Sequence, residues 1–98
     1  MHQAVNQLID EEERLLKSHM LAVQENADLL TEEGRLLATV QGEDVVDYDI
    51  DAYATRLDEI LDRKLVIFTS LKRRLTEFRR HLRDEEVASK RVQSLPTY

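Results

Sequence analysis

Leu8/Ile9, Leu15/Leu16, Ala22/Val23, Leu29/Leu30 and Leu36/Leu37 recur at a strict interval of seven residues, always as adjacent pairs. Val5, Met20, Ala27 and Val40 fill the same side. A seven-residue repeat of apolar pairs belongs to an α-helix whose buried face is wide. A second run places Ile50, Ala54, Leu57, Leu61, Lys64, Phe68, Leu71, Leu75, Phe78, Leu82, Glu85, Ser89 and Val92 at alternating steps of four and three. That spacing reads as a coiled-coil seam, flanked by Ile60, Leu65 and Ile67. Helices of about forty residues would each be near 60 Å long, too long to wrap a compact core around themselves.

The expected fold is therefore all-α: two long amphipathic helices forming an antiparallel hairpin that dimerises into a four-helix or coiled-coil assembly. We place an acidic helix over residues 1–41, an acidic turn over 42–50, a basic helix over 51–92 and a flexible tail over 93–98. These make one domain, read as a piece of a larger protein. Gly42 can take the positive-φ conformation that closes a helix, and five carboxylates then crowd residues 43–51. Asp49 or Asp51 is placed to cap the second helix. Gly34, inside the first helical pattern, suggests close approach of the other helix or a mild irregularity. Pro96 removes a donor that a helix interior needs.

Charge divides along the chain. Residues 1–62 hold four Lys/Arg against sixteen Asp/Glu, and residues 63–98 hold ten against four. An acidic rod attracts a basic one, so a fold-back near residues 42–49 is the favoured arrangement. It would bring Asp10–Glu13 level with Arg79, Arg80 and Arg83, and Asp28 level with Arg63 and Lys64. Exposed pairs contribute little, so charge selects register while apolar burial supplies stability. We place Leu16, Val23, Leu30, Leu57, Leu61, Phe68, Leu71, Leu75 and Phe78 in the packing and association core. Lys64 and Glu85 interrupt the seam, where polar residues restrict register; Lys64 either reaches Asp28 or lays its stem along the core with its ammonium in water.

No constellation for chemistry emerges. Glu11-Glu12-Glu13 and Glu32-Glu33 read as solvated faces, because acid–base catalysis needs carboxylates opposed in a pocket. His19 lacks a second His one turn on and reads as a packed or pH-sensitive residue rather than a ligand. Glu-x-x-His is missing, as is any phosphate-binding loop, in a chain with two glycines and no cysteine. No catalytic, cofactor-binding or metal residue is assigned. The one basic concentration, Arg73, Arg74, Arg79 and Arg80, reads either as a coat facing the acidic helix or as a contact for a polyanion such as the acidic surface of tubulin. The lack of interleaved aromatics argues against nucleic acid, and no apolar run of membrane-spanning length occurs. Thr76, after Arg73 and Arg74, is a candidate phosphorylation site, and Ser89 is a further one.

The stretch Val46-Asp47-Tyr48-Asp49-Ile50-Asp51-Ala52-Tyr53-Ala54-Thr55, with Leu57, Ile60 and Leu61 after it, resembles the C-terminal non-motor region of kinesin-13 proteins, the microtubule-depolymerising kinesins. The likeness continues through Leu71, Phe78 and Arg79 to Asp84-Glu85-Glu86-Val87-Ala88-Ser89-Lys90, and upstream takes in Asp10–Glu13. The resemblance implies a parent protein with an ATP- and Mg-dependent motor that acts on microtubules in the cytoplasm, and a non-catalytic role for this segment in homodimerisation. It also implies a contact with the parent's own motor domain through Glu85, Glu86, Ala88, Ser89 and Lys90. The alternative is an adaptor coiled coil whose basic half binds microtubules or another cytoskeletal partner.

Overall fold

The computed structural model describes residues 2–42 and 47–94, with side chains described for 6–42 and 47–87. Two helices, α1 (His2–Ala38) and α2 (Ile50–Ser94), pack along each other as an antiparallel hairpin. The hairpin is a rod of 84 × 19 × 17 Å with a radius of gyration of 22.4 Å. A globular chain of this length would have a radius near 13 Å. The accessible surface is 8379 Å², against roughly 5,800 Å² for a globular monomer of this mass.

Local chemistry sets the helix ends. α1 stops at Ala38, three residues before the expected end, because its last turn tightens. The Thr39 and Val40 amides donate to the Leu36 and Leu37 carbonyls at 3.1 and 3.2 Å, and the Thr39 hydroxyl donates to the Leu36 carbonyl at 2.6 Å. These i to i−3 bonds satisfy carbonyls that the ending helix leaves unpaired. Gly42 follows with φ of 133°, the only positive φ among the described residues; residues 43–46 of the acidic turn lie outside those described. Asp49, not Asp51, caps α2: its Oδ1 accepts from the Ala52 amide at 3.0 Å, the geometry of an N-cap side chain reaching the third helical residue. α2 runs on to Ser94, two residues past the expected end. Of the expected tail, residues 95–98 are outside the described range.

One position in the helical repeat differs from expectation. Labelling the repeat a to g, the α1 seam runs through a and d: Leu8, Glu11, Leu15, Ser18, Ala22, Glu25, Leu29, Glu32 and Leu36, all half-buried. On α2 the seam is Tyr53, Leu57, Ile60, Lys64, Ile67, Leu71, Phe78, His81 and Glu85. The expected second seam shares Leu57, Lys64, Leu71, Phe78 and Glu85 with this line but not Leu61, Phe68, Leu75 or Leu82. Each of those lies one residue past the true seam position, at e, and is exposed. Ile60 and Ile67, read from sequence as flanks, are the best-buried of the described residues, 1% and 8% exposed. The sequence pattern misleads because Ile60-Leu61 and Ile67-Phe68 are adjacent apolar pairs, and either member sustains a four-three spacing.

Gly34 faces open space: a Cβ built there meets nothing within 4 Å. The expected close approach of α2 is absent, so Gly34 carries only its helix-propensity cost. Gly34→Ala should raise unfolding stability by about 1 kcal/mol, and Asp49→Ala should lower it by about 1 kcal/mol, both measured by denaturant titration.

Candidate functional site

Among the described residues, three cross-helix ion pairs and one histidine–glutamate contact set the register of the hairpin. Arg63 forks onto Glu25, with Nη2 donating to Oε1 at 2.7 Å, and Arg56 forks onto Glu32, also at 2.7 Å. In each the Nε donates to the second carboxylate oxygen. Planar guanidinium groups favour such two-point recognition of a carboxylate. Arg56 also reaches Glu59 on its own helix at 2.8 Å. Lys64 pairs with Glu33, and His81 Nδ1 sits 2.6 Å from a Glu11 oxygen. The expected pairing of Asp28 with Arg63 and Lys64 does not form. The two basic groups turn instead to Glu25 and Glu33, which lie at or beside the seam. His19, read as a packed or pH-sensitive residue, is exposed, which excludes the packed alternative.

Hydrogen bonds from Arg63 and Arg56 hold the Glu25 and Glu32 carboxyls below their ordinary value of 4.5. Bonding to Glu25, and to Glu32 and then Glu59, raises Arg63 and Arg56 in turn.

The seam divides each apolar pair of α1. Leu8, Leu15, Ala22, Leu29 and Leu36 turn toward α2, whereas Ile9, Leu16, Val23, Leu30 and Leu37 point away from it. On α2, Leu61, Phe68, Leu75 and Leu82 likewise point away, joined by Leu65. Of the nine residues assigned to the packing and association core, Leu57, Leu71 and Phe78 lie between the helices. Leu16, Val23, Leu30, Leu61, Phe68 and Leu75 do not, with exposures from 37% at Leu75 to 60% at Leu30.

These exposed stripes share one side of the hairpin. In an antiparallel pair the g positions of both helices flank one edge of the seam, and the e positions flank the other. Here the g residues Arg14 and Leu21 of α1 line the same grooves as Ser70, Glu77 and Arg63, the g residues of α2. The opposite side therefore holds the b and e residues of both helices. Ile9, Leu16, Val23 and Leu30 stand there level with Leu82, Leu75, Phe68 and Leu61, a register bracketed by the Glu11–His81 and Glu25–Arg63 contacts. A continuous exposed apolar face of this extent marks an interaction surface.

The remaining sequence candidates fall elsewhere. Arg73, Arg74, Arg79 and Arg80 are all exposed. Arg80 bonds Glu77 on its own helix at 2.8 Å, and none of the four pairs with α1. Arg73 and Arg74 line the groove that α2 shares with Glu11 and Leu15 of α1, without an ion pair to α1 among the described residues. Glu85 is half-buried at the seam, Glu86 is exposed, and the side chains of Ala88, Ser89 and Lys90 lie outside the described residues. The Thr76 hydroxyl donates to the Lys72 carbonyl at 2.8 Å. Among the described residues no group of three His, Cys, Asp or Glu is placed to hold a metal ion, and no helix is long and apolar enough to cross a membrane. Arg56, Glu32 and Glu25 were missed as cross-helix partners; their signal is the antiparallel register of an arginine opposite a glutamate, repeated after seven residues.

Since both carboxyls are depressed in the fold, their stabilising contribution is full above about pH 4.5 and is lost as pH falls through the lowered values. Glu25→Gln/Glu32→Gln should therefore flatten the acid side of a helicity titration followed by circular dichroism, and leave its shape at neutral pH unchanged.

Comparison with known proteins gives the relationship. The chain is similar to diatom spindle kinesin-1 of Cylindrotheca fusiformis, 36% identical over 93 residues, which are 95% of this chain and 15% of that protein. It is 31% identical over 90 residues to kinesin-like protein KIN-13A of Oryza sativa subsp. japonica, covering 92% of this chain and 11% of the relative. Against kinesin-like protein KIN-13B of Arabidopsis thaliana it is 32% identical over 83 residues, 85% of this chain and 12% of the relative. No protein-family pattern matches the chain, and no solved structure does. The chain thus spans only a small fraction of the length of these relatives. It is a kinesin-related, non-motor segment of the kinesin-13 kind.

Proposed function

We propose that this segment is the non-catalytic dimerisation module of a kinesin-13-like microtubule depolymerase. Two hairpins cover each other's apolar face in a four-helix assembly. Pairing holds two motors of the parent protein at one microtubule end and so raises their local concentration there. ATP and Mg chemistry belongs to the parent's motor, and Glu85, Glu86, Ala88, Ser89 and Lys90 form the candidate contact through which the segment restrains that motor. The observation that carries the reading is the placement of both helices' surplus apolar stripes on one side of the rod. Among the described residues only Ile60 and Ile67 are buried, a small core for a chain of this length, and a second copy supplies the missing burial.

Sedimentation equilibrium should give twice the 11.5 kDa chain mass at micromolar concentration. Val23→Asp/Phe68→Asp should convert that dimer to a monomer, because the charges would be buried unpaired in the interface. Ile60→Asp strikes the hairpin seam itself and should lower helicity as well. A wild-type chain that stays monomeric at high micromolar concentration refutes the module.

A second reading is supported by the exposed arginines. Arg73, Arg74 and Arg79 form no ion pair among the described residues, which leaves them available to the acidic surface of a microtubule. Cosedimentation of the segment with microtubules that weakens with salt, and is lost on neutralising Arg73, Arg74, Arg79 and Arg80, is the expected outcome of this adaptor role.

A further inference from the structure

Two hairpins joined through this face have two symmetric ways to lie on each other. With the two-fold axis along the rod, α1 of each copy lies on α2 of the other and both turns share one end. With the axis across the rod, α1 lies on α1, α2 on α2, and the turns point to opposite ends. Both keep every neighbouring helix antiparallel and both satisfy the seven-residue repeat, so dipoles and periodicity do not choose between them. Side-chain size and charge do.

Resting on the dimerisation reading above, we infer that the apolar face receives a second copy of this chain aligned turn to turn, α1 of each on α2 of the other. Size supports this first. Val23 is level with Phe68 on the same face. The lengthwise arrangement therefore seats each Phe68 against a Val23 and each Leu16 against a Leu75, an even distribution of volume. The crosswise one, with the stripes fully overlapped, stacks Phe68 on Phe68 and Val23 on Val23, crowding one edge and hollowing the other. Charge supports it second. Glu12 and Glu13 are exposed without an ion-pair partner among the described residues, and so are Arg79 and Arg83 near their level on α2. Lengthwise stacking brings these unpaired acids to the unpaired bases of the other copy, twice by symmetry. Crosswise stacking sets Glu12 and Glu13 beside Glu33, and Lys72 beside Lys64. Lengthwise stacking does place Glu33 near Asp58, but Glu33 is already neutralised by Lys64 of its own hairpin.

The chain has no cysteine, and Tyr48 is exposed beside the turn, so a nitroxide on Tyr48→Cys reports the alignment. Pulsed dipolar spectroscopy should give one interlabel distance below about 30 Å, as for neighbouring helices spaced 8–10 Å apart with flexible labels. A distance near 60 Å, about twenty residues of helical rise on each side of Phe68, overturns the alignment while leaving dimerisation intact. A monomer mass for the same labelled sample overturns dimerisation, and the alignment with it. As a second measurement, Glu12→Lys/Glu13→Lys should weaken the dimer about tenfold, with affinity restored by adding Arg79→Glu/Arg83→Glu. Failure of the second pair to restore it counts against the alignment.

Discussion

A helix can hide an apolar stripe about as wide as one neighbour, and each helix here carries roughly twice that. Everything else in the structure follows from the surplus. One strip of each helix meets its counterpart in the hairpin, through Leu15, Leu29, Leu57, Ile60, Ile67 and Leu71 among others. The neighbouring strip, displaced by about one residue, has no counterpart among the described residues. The adjacent pairs of α1 put one member at the hairpin seam and leave the other exposed, and Ile60-Leu61 and Ile67-Phe68 do the same on α2.

Ionic groups act on this framework by selection more than by strength. Glu25 and Glu32 accept from Arg63 and Arg56 at positions seven apart on both helices, so a slip of the seam by one turn would break both forks together. Lys64 sits where an apolar residue would pack better, yet with Glu33 beside it the position tolerates one register and penalises others. The Glu11–His81 contact occupies two seam positions near the open end in the same way. The seam thus alternates apolar residues with polar ones along its length.

Much of this was legible in the residues. The number of helices, their antiparallel sense, the glycine at the break and the aspartate cap all follow from periodicity, charge asymmetry and capping chemistry, and kinship with kinesin-13 proteins followed from the stretch around Tyr48-Asp49 and Tyr53-Ala54. The phase of the second seam was not legible. Periodicity gives the spacing of a stripe but not which of two adjacent apolar residues touches the partner, and only the three-dimensional crossing of the helices assigned Ile60 and Ile67 inward and Leu61 and Phe68 outward. Cross-helix partners were missed for a related reason. Asp28 lies at the seam's edge and is exposed, whereas Glu25 sits in the seam itself, where Arg63 reaches it.

The hairpin is closed by a turn at one end and open at the other, where the first residues of α1 and the last of α2 lie side by side. Tension applied through those two strands of chain peels the rod instead of shearing it: the layers nearest the opening carry the whole load, and inner layers carry none until the outer ones part. The first described layers to yield would be those around Leu8, Glu11 and His81, then Leu15 and Phe78, before the best-buried Ile67 and Ile60 are reached. Such a rod gives way gradually under a pull on its own ends, yet stays stiff when compressed or bent from the side.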